Sequence, residues 1–358
     1  MKESQHCTDL KHRSRSGGAI LATPQDTMNS VVHPSEPGDS PLGSAGGSNS
    51  HATVNTLHAV EHIRHMRGGS QSHLMRCSDG NYYVVKFQNN PQHCRILVNE
   101  LLGTRLAALM GLPTTAVAII EVTEDLISLT PDLHVEKPWT GIRYRIPCEP
   151  GLQFGSRYPG DPHQLTLFNF LPDKQVLSMR NLRDFVGMLV FDLWTCNTDP
   201  RQVIFGRQEV GTPYQGWMID QGFCFNGREW NFPEKPRRNL YDRKVVYEQV
   251  QGIKSFEPWL TILESELEMR LLWAIGKTIP PEWYESDSES LHGLLAELDS
   301  RRSKVRGLLW SARKSFPHFF PNWTEENETE GDNNYASRNS KDVTFSRSDQ
   351  LDDCSRPN

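Results

Sequence analysis

The sequence predicts an α+β fold in two lobes, with a β-rich front and a helix-rich back. Three observations carry this reading. Extended, β-branched runs cluster between residues 72 and 122 around one long helical segment. From residue 244 onward helical periodicity dominates. The elements also do not alternate as the strand–helix–strand units of a parallel sheet would, and no internal repeat is present. The expected division is a disordered segment over 1–55, a first lobe over 56–138, a second over 139–318 and a disordered acidic tail over 319–358.

In the first lobe, residues 72–77 and 82–87 are extended runs around Ser78-Asp79-Gly80-Asn81. Asp-Gly between β-rich runs is a short hairpin signal, and Tyr82-Tyr-Val-Val-Lys-Phe87 has strong strand content. Asn90-Pro91 then offers an N-cap followed by Pro at the first helical position. Ile96, Leu97, Leu101, Leu102, Leu106 and Leu109 recur at helical spacing up to Gly111, and Pro113 stops the helix. Residues 115–122 (TAVAIIEV) form a buried strand.

The second lobe opens on a segment, 141–161, that reads as irregular because Pro and Gly punctuate it every few residues. Residues 177–194 read as one helix running into Thr195-Cys-Asn-Thr-Asp-Pro200. Extended pieces follow at 202–205 and 216–219, and then helices over about 244–251, 256–277 and 289–316. The basic run Arg301-Arg302-x-Lys304-x-Arg306 reads as the polar face of the last of these. Trp230 and Trp283 read as structural anchors.

Composition excludes several classes. Hydrophobic residues are 37% of the 358. The net charge of −6 resides in the two ends, leaving residues 56–320 with none, which argues against a nucleic-acid surface. No apolar run reaches the roughly 18–20 residues that span a bilayer, and the N-terminus has no apolar signal region, so a cytoplasmic location is expected. Residues 14–55 and the tail are too polar to offset the entropy of ordering. The seven cysteines are dispersed without a Cys-x-x-Cys pair, against both a disulfide framework and a Cys-rich zinc site. His58, His62, His65, His73 and His93 lie near one another, and solvated side chains are the expected reading.

Four features point to phosphate chemistry. Gly68, Gly69, Ser70 and Gln71 precede a strand, where consecutive backbone N–H groups can nest a phosphate. Lys86 interrupts an apolar strand, a position that a charge occupies only when paired or needed. Glu100 sits among Val98, Leu101 and Leu102 on the following helix, suited to pair with that lysine. Finally, Asn197-x-Asp199-x-Arg201-Gln202 and Met218-Ile-Asp220-Gln-Gly222 place two acidic motifs 21 residues apart. Phosphoryl transfer uses one carboxylate near the attacking hydroxyl and another on the metal.

The series GGSQ, YVVKF, NE, FDLWTCNTDPRQVIF, MIDQGFCF and IPPEW resembles the HipA-like kinase domain family. These are relatives of bacterial HipA and, more distantly, of eukaryotic protein kinases. The resemblance spans about residues 56–316 and implies a two-lobed, protein-kinase-like fold with nucleotide between the lobes. It implies ATP and Mg²⁺ as cofactors and a Ser/Thr hydroxyl as acceptor, expected on a protein; a small-molecule acceptor stays open, because the sequence carries no readable acceptor motif. Lys86 would contact phosphates with Glu100 as its partner, Asp199 would be the catalytic-loop carboxylate, Asp220 the metal ligand, and the 68–71 loop would cover the nucleotide. The sequence departs from the family at Ile204, where a second metal-binding Asn is usual. Gln202 and Asn197 are the candidate replacements. The departure leaves a second reading open, a nucleotide-binding pseudokinase or scaffold without turnover.

Overall fold

The computed structural model of the protein describes residues 56–139, 142–207, 209–233 and 239–324. The segments expected to be disordered over 1–55 and from 325 lie outside the described residues. Within the expected tail, Phe319, Phe320 and Trp323 are buried, and Trp323 packs against Phe256 and Trp310 with ring centroids 5.5 and 5.1 Å apart.

The front of the chain closes into a five-stranded barrel ordered β1-β2-β3-β7-β4. Its strands are β1 (Thr56–His65), β2 (His73–Cys77), β3 (Tyr82–Lys86), β4 (Val117–Val122) and β7 (Gly151–Arg157). The Asp79-Gly80 hairpin is present as expected: β2 and β3 pair antiparallel, His73 opposite Val85 and Arg76 opposite Tyr82. Closure comes from the parallel pairing of β1 with β4. Side chains alternate across the barrel wall with the period of two that a strand dictates. Ile120, Val85 and Met75 fill the barrel core, while Ile119, next in the chain to Ile120, joins Leu97 and Leu101 in the main core outside it.

Three strands stand where the sequence reading expects an irregular segment or none. β5 (His134–Trp139) and β6 (Ile142–Pro147) form a separate hairpin, and β7 pairs with both β3 and β4. Gly155 explains part of this. A Cβ there would lie 2.5 Å from Ile120 Cγ1, so the glycine that looks like a breaker is what lets β7 approach the barrel core.

Helix α1 (Arg95–Leu109) starts later than Asn90-Pro91 suggests. Asn90 Oδ1 instead accepts from the amides of Gln92 and His93, closing a tight turn, and His93 at φ 126° interrupts helical backbone. The helix is buried on most of its circumference, between the barrel and the helical back.

The expected helix over 177–194 forms only from Asp184 on, behind a turn over 178–183. The short α3 (Asp173–Leu177) and α4 (Asp184–Thr195) are separated by a turn, with α2 (Glu124–Ser128) earlier in the chain. Every α4 residue after Asp184 is buried, and a Cβ on Gly187 would meet the Trp259 ring at 2.3 Å. After it come the hairpin β8 (Gln202–Gly206) and β9 (Gln215–Ile219), then α5 (Trp259–Ser265), α6 (Met269–Gly276), α7 (Ser288–Arg301) and α8 (Val305–Ser315), with short 3₁₀ segments in the connections. Arg301 is not on a solvated face. It is buried and donates to the carbonyls of Leu193 (2.8 Å) and Trp194 (2.9 Å), satisfying groups that the end of α4 leaves unpaired. Trp283 and Trp230 are anchors as expected: their indole N–H groups donate to Leu152 O (2.7 Å) and Asn99 Oδ1 (2.8 Å). Among the described residues no helix is long and apolar enough to cross a membrane.

Candidate active site

Lys86 ends β3, where the strand runs off the barrel toward α1. Its side chain is buried, and its ammonium donates to Glu100 Oε1 and, at 2.8 Å, to Asp220 Oδ1. The strand lysine, the helix carboxylate and the carboxylate after β9 therefore meet at one point. Burial alone would lower the lysine's pKa. Asp220 and Glu100 overcome that and hold the ammonium above its ordinary range.

The two carboxylates differ. Burial, resisted by Lys86, raises Glu100 to about 7. Asp220 is opposed by burial too, but Lys86 dominates and holds it at about 2. Asp220 thus carries full negative charge across the physiological range. It does so in left-handed backbone, φ 60°, a conformation disfavoured for any residue with a Cβ. Glu100 also anchors the segment after Asp220, since its Oε2 accepts the Gln221 amide at 3.0 Å. One residue earlier on α1, Asn99 donates to the carbonyls of Gly222 (2.7 Å) and Gly227 (2.8 Å). Helix α1 therefore fixes both the lysine and the Asp220 loop.

A cavity of about 810 Å³ opens over this cluster, lined by Gly68, Gly69, Ser70, Lys86, Glu100, Asp199, Gln202, Ile204 and Asp220. The glycine loop folds back on itself: Met66 N donates to Ser72 O (2.8 Å) and Gln71 N to Gly68 O (3.2 Å), with Gly68 at φ 133°. Gln202 reaches across the acidic pair, its amide donating to Asp220 Oδ2 at 3.1 Å and to Asp199 Oδ2 at 3.4 Å. Gln202 and Ile204 both line the cavity, with Val203 between them also reaching it.

Two candidates stand elsewhere. Asn197 is buried outside the cavity wall. Its amide donates to Asp192 Oδ1 (3.0 Å) and its side-chain carbonyl accepts the Asp199 amide (3.2 Å), so its side chain is engaged within the loop. Gln71 spends its side chain on the backbone of Glu136, donating to its carbonyl at 2.8 Å and accepting its amide. That ties the loop to β5, and Gln71 lines a separate cavity of about 640 Å³.

This arrangement of strand lysine, helix glutamate and post-strand aspartate beneath a glycine loop is kinase-like. Residues 60–208 match the HipA-like kinase family. The match takes in the glycine loop, Lys86, Glu100, Asp199 and Gln202, and the resemblance seen in the sequence is borne out over that span. Among solved structures, the Golgi casein kinase is 13% identical, with 75% of this chain and 76% of that one covered and a TM-score of 0.45. The Helicobacter pylori proinflammatory kinase CtkA is 14% identical, with 72% and 98% covered and a TM-score of 0.44. No curated protein matches the chain.

Sequence reasoning passed over the scaffold beneath the Asp199 loop. Arg201 is buried and pairs with Asp192 through both Nε (2.9 Å) and Nη2, while Nη1 donates to Ile219 O (3.0 Å) and Gln221 Oε1 (2.9 Å). It thereby ties α4 and the Asp199 loop to the Asp220 loop. The signal is Asp192, a carboxylate between Phe191 and Leu193 deep in the apolar stretch of α4. His73 was also misread: it is buried, with Nδ1 3.1 Å from His62 Nε2 and Nε2 3.1 Å from the His134 carbonyl.

Proposed function

We propose that the protein is an ATP- and divalent-cation-dependent phosphotransferase, with Mg²⁺ the intended cation and a Ser/Thr hydroxyl the acceptor. The convergence of Lys86, Glu100 and Asp220 on one cavity wall with Asp199 and Gln202 is the observation that supports it. Lys86 is positioned to hold phosphate oxygens, and Glu100 keeps it charged and oriented. Asp220 would hold a hard cation that takes oxygen ligands, and Gln202 would join it once its amide turns to present the carbonyl oxygen in place of the NH₂ that now faces Asp220. Bound there, the cation would supply charge neutralisation between phosphates. Asp199, across Gln202, would orient the acceptor hydroxyl and take its proton. Gly68 and Gly69 leave the loop free of side chains where it overlies the cavity; a Cβ at Gly69 would collide with Gln92 Nε2 at 2.9 Å.

One observation favours a second reading, a nucleotide-binding module without turnover. Ile204, which lines the cavity, offers no oxygen, and Gln202 presents its NH₂ to both carboxylates. Two measurements separate the readings. Thermal unfolding with ATP, with and without Mg²⁺, reports binding, because nucleotide at 100 times its Kd stabilises by about 2.7 kcal/mol. Transfer of labelled γ-phosphate to the protein or to added acceptors reports turnover. Stabilisation with transfer supports the kinase, stabilisation alone supports the module, and neither in wild type refutes both.

A further inference from the structure

Away from the catalytic cavity, one cluster joins three different metal-binding chemistries. His93 and Cys94 precede α1, and Glu285 follows the 3₁₀ turn Pro281–Tyr284 in the helical back. One imidazole nitrogen, the Cys94 sulfur and one Glu285 carboxylate oxygen all lie within 4.8 Å of one another. Cys94 Sγ stands 3.5 Å from His93 Nδ1. Tetrahedral zinc, with bonds of about 2.0–2.3 Å, holds neighbouring donors about 3.3–3.8 Å apart, so this pair already has the required separation. Only the carboxylate, on a long exposed side chain, has to close in.

We propose that His93, Cys94 and Glu285 bind one Zn²⁺-class cation that clamps the start of α1 to the helical back of the molecule. The donor set argues for a borderline cation over Mg²⁺ or Ca²⁺, which take oxygen ligands. Three protein donors leave a fourth tetrahedral position for water. The Cys94 thiol loses its proton to solvent as the zinc–sulfur bond forms. Nδ1 now accepts the Arg95 amide at 3.2 Å. Metal binding would return that amide to water, the usual fate of first-turn helix amides. The clamp would reinforce contacts already crossing here, since Arg95 pairs with Asp287 at 3.0 Å and lies over the Trp230 ring at 4.4 Å. Because Glu100 is carried on the same helix, the site would tie metal occupancy to the rigidity of the helix that holds Lys86.

The test is Co²⁺ and Zn²⁺ titration of the reduced full-length chain, with Cys94→Ser and Glu285→Gln as variants. Both positions lie near the surface, and thermal unfolding confirms that each variant is folded. Co²⁺ should bind one equivalent with a thiolate charge-transfer band, and Zn²⁺ should displace it. Cys94→Ser should abolish the band, and Glu285→Gln should weaken binding at least tenfold. Zn²⁺ should also slow amide exchange at 95–98 and 284–287 in wild type but not in Cys94→Ser. The proposal is overturned if wild type shows no thiolate band, if Cys94→Ser keeps it, or if exchange in both segments ignores the metal.

Discussion

Replacing Asp192 with Ala removes the carboxylate that neutralises Arg201. Both side chains are 1% exposed, so the guanidinium is left charged, buried and short of the partner that meets two of its nitrogens. Breaking a buried pair by deleting one member costs about 3–5 kcal/mol, because the surviving charge stays desolvated. Asn197, which donates to the same carboxylate, loses a partner as well. The expected result in urea unfolding is an unfolding free energy lowered by that amount, read as a lower midpoint with an unchanged slope. The double replacement Asp192→Leu with Arg201→Met should recover most of the stability, since apolar pairs of similar volume replace buried ion pairs at little cost. It should not recover phosphate transfer, because the tie from Arg201 to Ile219 and Gln221, which aligns the Asp199 and Asp220 loops, stays broken. An Asp192→Ala loss below about 1 kcal/mol, or a fully active double variant, would refute this reasoning.

Three further outcomes follow from the same geometry. Burial, with His62 and His65 adding to it, lowers His73 to about 3. The unfolded chain therefore takes up a proton near pH 6.5 that the folded chain refuses, and stability falls by up to about 1.4 kcal/mol per pH unit from 6.5 toward 3; His73→Gln should flatten that slope in acid titrations of unfolding. Burial raises Glu100 to about 7, so its protonated form is the one folding favours: its contribution is complete below about 4.5 and declines as pH rises through 7. The ionised form is nonetheless what pairs best with Lys86, so transfer rate should climb through about pH 7, and Glu100→Gln should lack that limb while losing rate. Gln202→Ala should raise the Mg²⁺ concentration needed for half-maximal transfer, whereas Asn197→Ala should lower stability and leave that requirement nearly unchanged. An unchanged Mg²⁺ requirement in Gln202→Ala would make Gln202 a spacer between carboxylates.

What the sequence reveals here is what is local or chemically conspicuous. The Asp79-Gly80 hairpin reads directly because its turn and flanking strands are contiguous. Lys86 and Glu100 read because a charge in an apolar run is costly unless paired. Asp199, Asp220 and Gln202 stand out because they sit in two polar motifs next to apolar elements, one after the helix α4 and one after the strand β9. Within 141–161, β7 does not read, because its partners lie about 30 to 75 residues away in the chain and because Gly155 has to fit over Ile120, while β6 is hidden by the Pro and Gly that punctuate the segment. The start of α1 is displaced by the turn at Asn90, which spends its cap on Gln92 and His93. Asn197 carries the residue type of a ligand but points into the loop, a distinction held in side-chain direction alone. Asp192 and Arg201 are nine residues apart yet meet only because α4 and the following loop fold back on each other, which periodicity does not encode.

Asp220 bears most of the functional reading, since it pairs with Lys86, accepts from Gln202 and lines the cavity. The most direct measurement is γ-phosphate transfer by wild type and Asp220→Asn across a Mg²⁺ series, with ATP binding followed in parallel. The isosteric change keeps shape while removing the charge that holds the cation, so transfer should fall by at least about a hundredfold, or about 2.7 kcal/mol, with the fold retained. Asp220→Asn transferring phosphate as well as wild type would contradict the account.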